Sequence, residues 1–293
     1  MDAFHLDRAR VRRNFGRAAA SYERHDALQQ TVQQTLLERL QVRTAPAELI
    51  VDVGAGTGRG SALLKRAHPQ ARVLALDLAL PMLRAARRHL GWRRPFARVV
   101  GDAMALPLPD ASVDVLHSNL CFQWIDDLPA LFAECARVLK PGGLLAFTTF
   151  GPDTLQELRA AWAAADDGHS HVSRFLDMHD VGDAMLAAGL RDPVLDVDRY
   201  TLTYARPRDL LDELRGLGAT HADRARSHAL GGARAYRRML AAYEAMRRDG
   251  HIPATWEVIG AHAWGAAPGQ PRRAPGGEIA SFPLDRLRGS RRR

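Results

Sequence analysis

The sequence predicts a doubly wound α/β fold, a mostly parallel sheet covered by helices on both faces. Three observations predict it. Between residues 49 and 150, short apolar runs alternate with segments of helical period. The first run leads straight into a glycine cluster, Gly54-x-Gly56-x-Gly58. Aspartates stand at or beside the ends of successive runs, at Asp52, Asp77 and Asp102, and strand ends on one sheet edge are where this architecture holds ligands.

The elements follow in order. Residues 7–20 place Val11, Phe15 and Ala18 or Ala19 at helical spacing with arginines between them, and 26–41 repeat the period with Leu28, Val32, Leu36, Leu37 and Leu40. Leu49 to Val53 is an apolar run ending at glycines, hence a buried strand. A helix over 59–67 and a strand over 72–76 come next, then a helix over 80–90 with Pro81 in its first turn. Strands are expected over 97–100 and 113–117, a helix over 127–139 ended by Lys140-Pro141-Gly142-Gly143, and a strand over 144–150. Beyond residue 150 the pattern loosens. Helices are expected over 153–165, 178–188, 207–217 and 232–247. Strands are expected over 194–205, bent near Asp198-Arg199, and over 255–264. From Gly265 onward Pro, Gly and Arg dominate, which reads as a disordered or weakly packed tail.

The composition, 46% hydrophobic and 25% charged over 293 residues, is that of an ordinary globular protein. No apolar run reaches the roughly 20 residues that span a bilayer. Cys121 and Cys135 form no metal-ligand pattern and read as free thiols in a reducing compartment, so the expected location is the cytoplasm. The net charge of +8 is concentrated at the ends, with arginine-rich stretches over 1–24 and 270–293. His169 and His171 form an HxH that reads as surface histidines, since two histidines do not complete a metal site.

A glycine cluster after a strand suits an ordinary strand-to-helix turn, a dinucleotide site or another cofactor. The acids narrow the choice. Asp52, inside the strand end, suits a cationic or amine-bearing ligand and would repel a pyrophosphate. S-adenosylmethionine carries an ammonium and a sulfonium and no phosphate. Asp77, 19 residues past Gly58, can accept from both ribose hydroxyls. Asp102 can accept from an adenine amino group, with Ala103 and Met104 offering apolar contact. Each aspartate alone could be a loop cap; three at successive strand ends point to one ligand. The expected cofactor contacts are Asp52, Gly54, Ala55, Gly56, Gly58, Asp77, Leu78, Asp102, Ala103 and Asn119.

Val51-Asp-Val-Gly-Ala-Gly-Thr-Gly, Asp77, Gly101-Asp102-Ala103 and Leu139-Lys-Pro-Gly-Gly resemble the ordered motifs of class I methyltransferases. The resemblance covers about 45–150 and implies a seven-stranded sheet with one antiparallel strand near the edge, the later strands supplying the last two. A narrower resemblance is carried by Arg12-Arg-Asn-Phe-Gly-Arg-Ala-Ala-Ala-Ser-Tyr22, Leu28-Gln29, Ser118-Asn-Leu-Cys-Phe-Gln-Trp124, Phe150-Gly-Pro-Asp-Thr-Leu155, Asp177-Met-His-Asp-Val-Gly-Asp183 and Trp256-Glu-Val-Ile-Gly-Ala-His-Ala-Trp264. These resemble the BioC family, malonyl-acyl-carrier-protein methyltransferases of biotin synthesis. The implied organisation is an N-terminal helical lid (1–44), a methyltransferase domain (45–264) with a helical insertion at about 207–250 over the active site, and a basic tail (265–293). The implied reaction is S-adenosylmethionine-dependent methylation of the malonyl carboxyl, the opening step of pimeloyl synthesis, leaving S-adenosylhomocysteine. The implied partner is acyl carrier protein bearing the malonyl thioester, or malonyl-coenzyme A.

A carboxylate acceptor is already ionised near pH 7, so no general base is required, and the enzyme's work is positioning and exclusion of water. Candidates for the acceptor pocket are Arg17, Tyr22, Asn119, Gln123 and Arg199, with Arg206 a further cation. Phe15 either closes over the cofactor or packs within its helix. The arginines Arg8, Arg10, Arg12, Arg13 and Arg17 could form a basic rim for an acidic carrier protein. The glycine loop reads only the cofactor, so other acceptors stay open: a quinone precursor, a small acid, or the role of a cofactor-binding assembly factor or protein-arginine modifier. Nucleic acid is a weak alternative, because the central chain is neutral and carries no Asn-Pro-Pro-Tyr-like motif.

Overall fold

Short strand-forming runs build the sheet, the central ones buried on both faces and the two edge strands partly exposed. In the computed structural model, which describes residues 5–92, 95–165, 171–223 and 232–267 and the backbone of 272–274 and 277–279, these runs are β1 (Leu49–Val53), β2 (Arg72–Asp77), β3 (Ala97–Val100), β4 (Val113–Ser118), β5 (Leu139–Phe150), β6 (Arg191–Tyr204) and β7 (Ile252–Trp264). Their order is β3-β2-β1-β4-β5-β7-β6. The first five pair in parallel, and β7 runs antiparallel to both of its neighbours. The fold is the doubly wound seven-stranded sheet expected, with its one antiparallel strand next to the edge.

Successive side chains of a strand point to opposite faces, and the core divides accordingly. Ile50, Val73, Val115 and Leu144 pack beneath α2 (Ala27–Arg39), α3 (Arg59–Ala67) and α4 (Leu80–Ala85). Val51, Val53, Leu116 and Phe147 pack beneath α5 (Leu128–Val138) and α7 (Met178–Ala187). There Phe122, Phe132 and Phe147 form a three-ring cluster with centroids 4.9 to 6.1 Å apart. A third cluster lies beneath α6 (Gln156–Ala165), α8 (Pro207–Leu217) and α9 (Ala233–Glu244), around Phe150, Met239, Tyr243 and Trp256.

Two expectations need correction. The strand expected from Leu144 begins at Leu139, before the Pro-Gly-Gly. Leu139 still pairs with Val113, Gly142 takes φ +70, and the intervening residues bulge out of the ladder before pairing resumes at Val115 and Leu144. The bend expected near Asp198-Arg199 is absent, because both residues hold register with Val258 and Glu257. The irregularity lies instead between Arg191 and Val194, where Asp192 has φ +49 and Pro193 lacks an N–H to donate. β6 is an edge strand, which tolerates both.

The N-terminal segment folds over the carboxyl edge of the sheet. Asp7 caps α1 (Arg8–Ala18) by accepting from the Arg10 amide at 2.9 Å. The segment is tied to the end of α8 and the residues after it. The Ser21 hydroxyl donates to the Gly216 carbonyl at 2.9 Å, and the Asn14 amide donates to the Thr220 hydroxyl at 2.8 Å. The end of α8 and the residues after it thus brace α1. In the tail, Arg272–Ala274 (β8) and Gly277–Ile279 (β9) pair as an antiparallel hairpin; the other residues from 268 onward lie outside the described ones. Among the described residues no helix is long and apolar enough to cross a membrane.

Candidate active site

The site begins where β1 ends. The amides of Gly54 and Ala55 both donate to the Leu76 carbonyl, at 2.8 and 3.0 Å, which turns the chain away from the sheet. Gly54, Gly56 and Gly58 all have positive φ, between +53 and +81. Gly54 also needs the space: a Cβ there would sit 2.3 Å from the Cys121 Sγ. Gly56 is the converse, with nothing within 4 Å of a Cβ, because it faces the cleft.

That cleft encloses about 810 Å³, its open mouth included. Its floor is Val53, Gly54, Gly56, Asp77, Leu78, Asp102 and Ala103. Its far wall is Asn119, Leu120, Cys121, Trp124 and Ile125, and its roof is Arg8, Val11, Phe15 and Tyr22 from the N-terminal segment. Phe15 meets Trp124 edge-to-face, centroids 5.2 Å apart at 83°, so it both lines the cleft and packs. Tyr22 is enclosed, and burial holds its phenol protonated.

The three acids have separate environments. Asp77 accepts from the Ala79 amide at 2.7 Å and the Gly56 amide at 2.9 Å, which clamps the glycine loop to β2. Burial, with Asp52 adding like-charge repulsion, pushes its carboxyl up to about 6 against these two amides. Each oxygen keeps a second lone pair for a ligand hydroxyl. Asp102 accepts from the Met104 amide at 2.9 Å and is ion-paired with Arg8 of the roof. An adenine amino group would share that carboxylate with Arg8.

Asp52 differs most from expectation. It is buried and lies below the glycine loop, where it reaches only a smaller annex lined by Tyr22, Gln29, Gln33, Thr57 and Arg59. Its oxygens are taken by the Ser61 hydroxyl at 2.6 Å and the His117 Nδ1 at 2.8 Å. His117 in turn accepts at Nε2 from the Gln33 amide at 2.9 Å. Nothing local in the sequence announces this Gln33–His117–Asp52–Ser61 chain, because it joins α2, β4, β1 and α3. Only the β1–β4 register, which sets Asp52 beside His117, brings its centre together. In the annex, Gln29 Oε1 is buried without a hydrogen-bond partner, and Arg59 pairs with Asp26 and Glu23, each at 3.6 Å.

The remaining expected residues sort as follows. Ala55 lines the annex, and Gly58 lines neither space but starts α3. Asn119 lines both, yet its amide donates to the Gln29 carbonyl and its oxygen accepts from Thr148, so it braces the wall. Gln123 is outside the cleft; it donates to the Leu120 carbonyl and faces a neighbouring groove with Phe150 and Phe175. Arg17 is exposed on α1 and lines no cleft. Arg199 lies on the edge strand, paired with Asp153 at 2.9 Å and Glu257 at 3.5 Å. Arg206 is spent on capping α8 against Asp209. His171 stacks on Trp162 at 3.6 Å, while His169 lies outside the described residues. Both cysteines are free, and burial pushes both thiols up to about 12.

A second space opens behind Trp124, which is common to both. This chamber lies between the end of β5, the start of β7 and helices α6, α8 and α9, with Phe150, Trp162, Phe175, Tyr236 and Trp256 as apolar walls. Its polar lining is Ser173, Thr220, His171, His221 and Arg215.

The cleft fits S-adenosylmethionine. A glycine-walled floor admits close backbone approach, the acids suit a cationic ligand bearing hydroxyls, and the unpartnered Gln29 Oε1 in the annex suits the ammonium of an amino-acid end. The comparisons agree. Residues 51–147 match the family model described as a methyltransferase domain. The YcgJ protein of Bacillus subtilis superposes with a TM-score of 0.56 at 17% identity, over 80% of this chain and 99% of that one. Phosphoethanolamine N-methyltransferase 2 of Haemonchus contortus superposes at 0.53 and 18% identity, over 85% and 57%. These likenesses show the fold. Sequence relatives reach further. The malonyl-acyl-carrier-protein O-methyltransferase of Xylella fastidiosa is 46% identical over 96% of both chains. The protein of the same name from Halorhodospira halophila is 47% identical over 93% of this chain and 92% of its own. With that identity over nearly its whole length, and a cleft built for S-adenosylmethionine, the chain belongs to the malonyl-acyl-carrier-protein O-methyltransferase family.

Proposed function

We propose that this chain methylates the free carboxylate of a malonyl thioester carried on acyl carrier protein, giving the methyl ester. The observation that carries the reading is the lining of the chamber behind Trp124. Among the described residues it contains no aspartate or glutamate, while Arg215, His171 and His221 line it. Such a lining favours an anionic acceptor over an amine or guanidinium, and the relatives' names supply the acceptor's identity.

Bound in the cleft, S-adenosylmethionine supplies a methyl on a sulfonium, which a carboxylate oxygen takes while the carbon–sulfur electron pair stays on sulfur. This chain's own residues position and shield. Asp77 and Asp102 orient the nucleoside end, and the glycine loop gives close approach. Phe15, Tyr22 and Trp124 exclude water. No residue has to move a proton, since the acceptor arrives ionised. The exposed Arg12 and Arg17 on α1 supply positive charge beside the cleft for an acidic carrier protein, an attraction that salt screens.

The test is transfer of labelled methyl to malonyl-carrier protein, with acetyl-carrier protein as the control lacking a free carboxyl. Label on the malonyl form alone, as a base-labile ester, is expected. Label on neither, with S-adenosylhomocysteine binding demonstrated by calorimetry, refutes the reading.

A further inference from the structure

The arginines on and around α8 and α9 fall into two groups. Arg206, Arg215 and Arg247 each pair with a carboxylate three residues away, Asp209 at 2.8 Å, Asp212 at 2.8 Å and Glu244 at 2.5 Å. Arg208 of α8 and Arg234, Arg237 and Arg238 of α9 are exposed and have no carboxylate partner among the described residues. Glu244 is the one acid of α9, and it ends the helix. Arg234 stands in the first turn, where a cation works against the helix dipole. At i, i+3 and i+4 the three α9 arginines share one face, turned away from the buried Ala235, Met239 and Tyr243. Stability of the helix does not account for this charge. A partner of opposite sign does.

The location of the charge points to the partner. Arg215 lines the chamber and yet is 62% exposed, so the chamber opens to solvent beside it. Arg208 lies two turns back on the same face of α8, with its guanidinium 6.0 Å from the ring centroid of Tyr236. Tyr236 is itself a chamber wall and directly precedes Arg237. The unpaired arginines thus border the mouth of the chamber. An acceptor on the arm of a carrier protein enters by that mouth, and the protein has to rest beside it. We propose that Arg208, Arg234, Arg237 and Arg238 form the surface on which an acidic carrier protein docks, with its acyl arm entering the chamber past Arg215. Arg12 borders the cofactor cleft instead, and with Arg17 adds attraction from that side. This rests on the carboxyl-methylation reading above.

The experiment compares malonyl-carrier protein with malonyl-pantetheine, which keeps the acyl arm and lacks the protein. R234A/R237A/R238A breaks no ion pair among the described residues and puts a strong helix former at each position. Its kcat/KM on malonyl-carrier protein is expected to fall about tenfold, since three exposed charge pairs contribute up to severalfold each. The loss should lie in KM, with kcat at saturation little changed. On malonyl-pantetheine, and in binding S-adenosylhomocysteine, the variant should match wild type. Equal losses on both acceptors, or no loss on malonyl-carrier protein, overturn the assignment, and the second result would move docking to α1. A further measurement needs the carrier substrate alone. Added salt should lower the wild-type kcat/KM steeply and that of the variant less, and a variant that keeps the wild-type salt slope overturns the assignment as well. No methylation of malonyl-carrier protein by wild type refutes carboxyl methylation itself, and this inference falls with it.

Discussion

Lowering the pH should weaken cofactor binding through Asp77, and by an amount the structure sets. Burial raises this carboxyl to about 6, well above its ordinary 3.8, with Asp52 contributing repulsion and the Ala79 and Gly56 amides opposing the shift. The sign follows from the raised value. Above about 6 the group is ionised and both oxygens can accept from ligand hydroxyls. Below it the group is protonated and one acceptor becomes a donor. Between pH 7 and pH 5 the ionised fraction falls roughly tenfold, so affinity for S-adenosylhomocysteine should fall by about the same factor, or about 1.4 kcal/mol. The neighbouring Cys121 thiol, held up at about 12, contributes nothing in this window. D77N should bind more weakly than wild type at pH 7 and show a flat profile, since its amide cannot titrate and must face one of the two backbone donors. Calorimetric titration from pH 5 to 8 reads both. A D77N profile with the wild-type slope would refute the reasoning and place the titrating group elsewhere.

Two further substitutions test the framework. G54A combines a left-handed φ, which costs an ordinary residue about 1–2 kcal/mol, with a Cβ 2.3 Å from Cys121 Sγ. It should lower both stability and cofactor affinity, whereas G56A, strained likewise by its φ of +53 but with open space around its Cβ, should lose less stability than G54A while still lowering affinity; thermal melts with and without S-adenosylhomocysteine separate the two. H117L strips a partner from both Asp52 and Gln33 in the interior, each loss costing about 1–3 kcal/mol. Urea denaturation should show a loss of a few kcal/mol, and an unchanged midpoint would mean that water replaces the imidazole.

What could be read in the sequence was local. Gly54-x-Gly56-x-Gly58, Asp77 and Asp102 act through their own turns, so the residues that form the floor of the cleft sit close to the strand ends that announce them. The roof was legible in outline, because Phe15 lies on a short amphipathic segment with Tyr22 just beyond it. The arginines were not. Arg17, Arg199 and Arg206 were singled out by charge, but charge says nothing of direction, and the structure turns all three to solvent or to nearby acids. Arg8, one of several in the same run, is the one that reaches Asp102. The Gln33–His117–Asp52–Ser61 chain was hidden for a different reason: its members come from four elements, and only the pairing of β1 with β4 makes neighbours of them.

The change of charge in the reaction gives the chamber a consequence for turnover. The acceptor enters as an anion and leaves as a neutral ester, while the lining that meets it, Arg215 and two histidines with no acid among the described residues, is unchanged. Whatever attraction the lining exerts is therefore withdrawn by the chemistry itself. The magnitude is modest, because Arg215 is largely exposed and shared with Asp212 at 2.8 Å, and exposed pairs contribute up to about 1 kcal/mol. That is enough to favour exchange of ester for fresh substrate severalfold without tight binding of either. On this reading the apolar walls meet parts of the acyl group that the reaction does not alter.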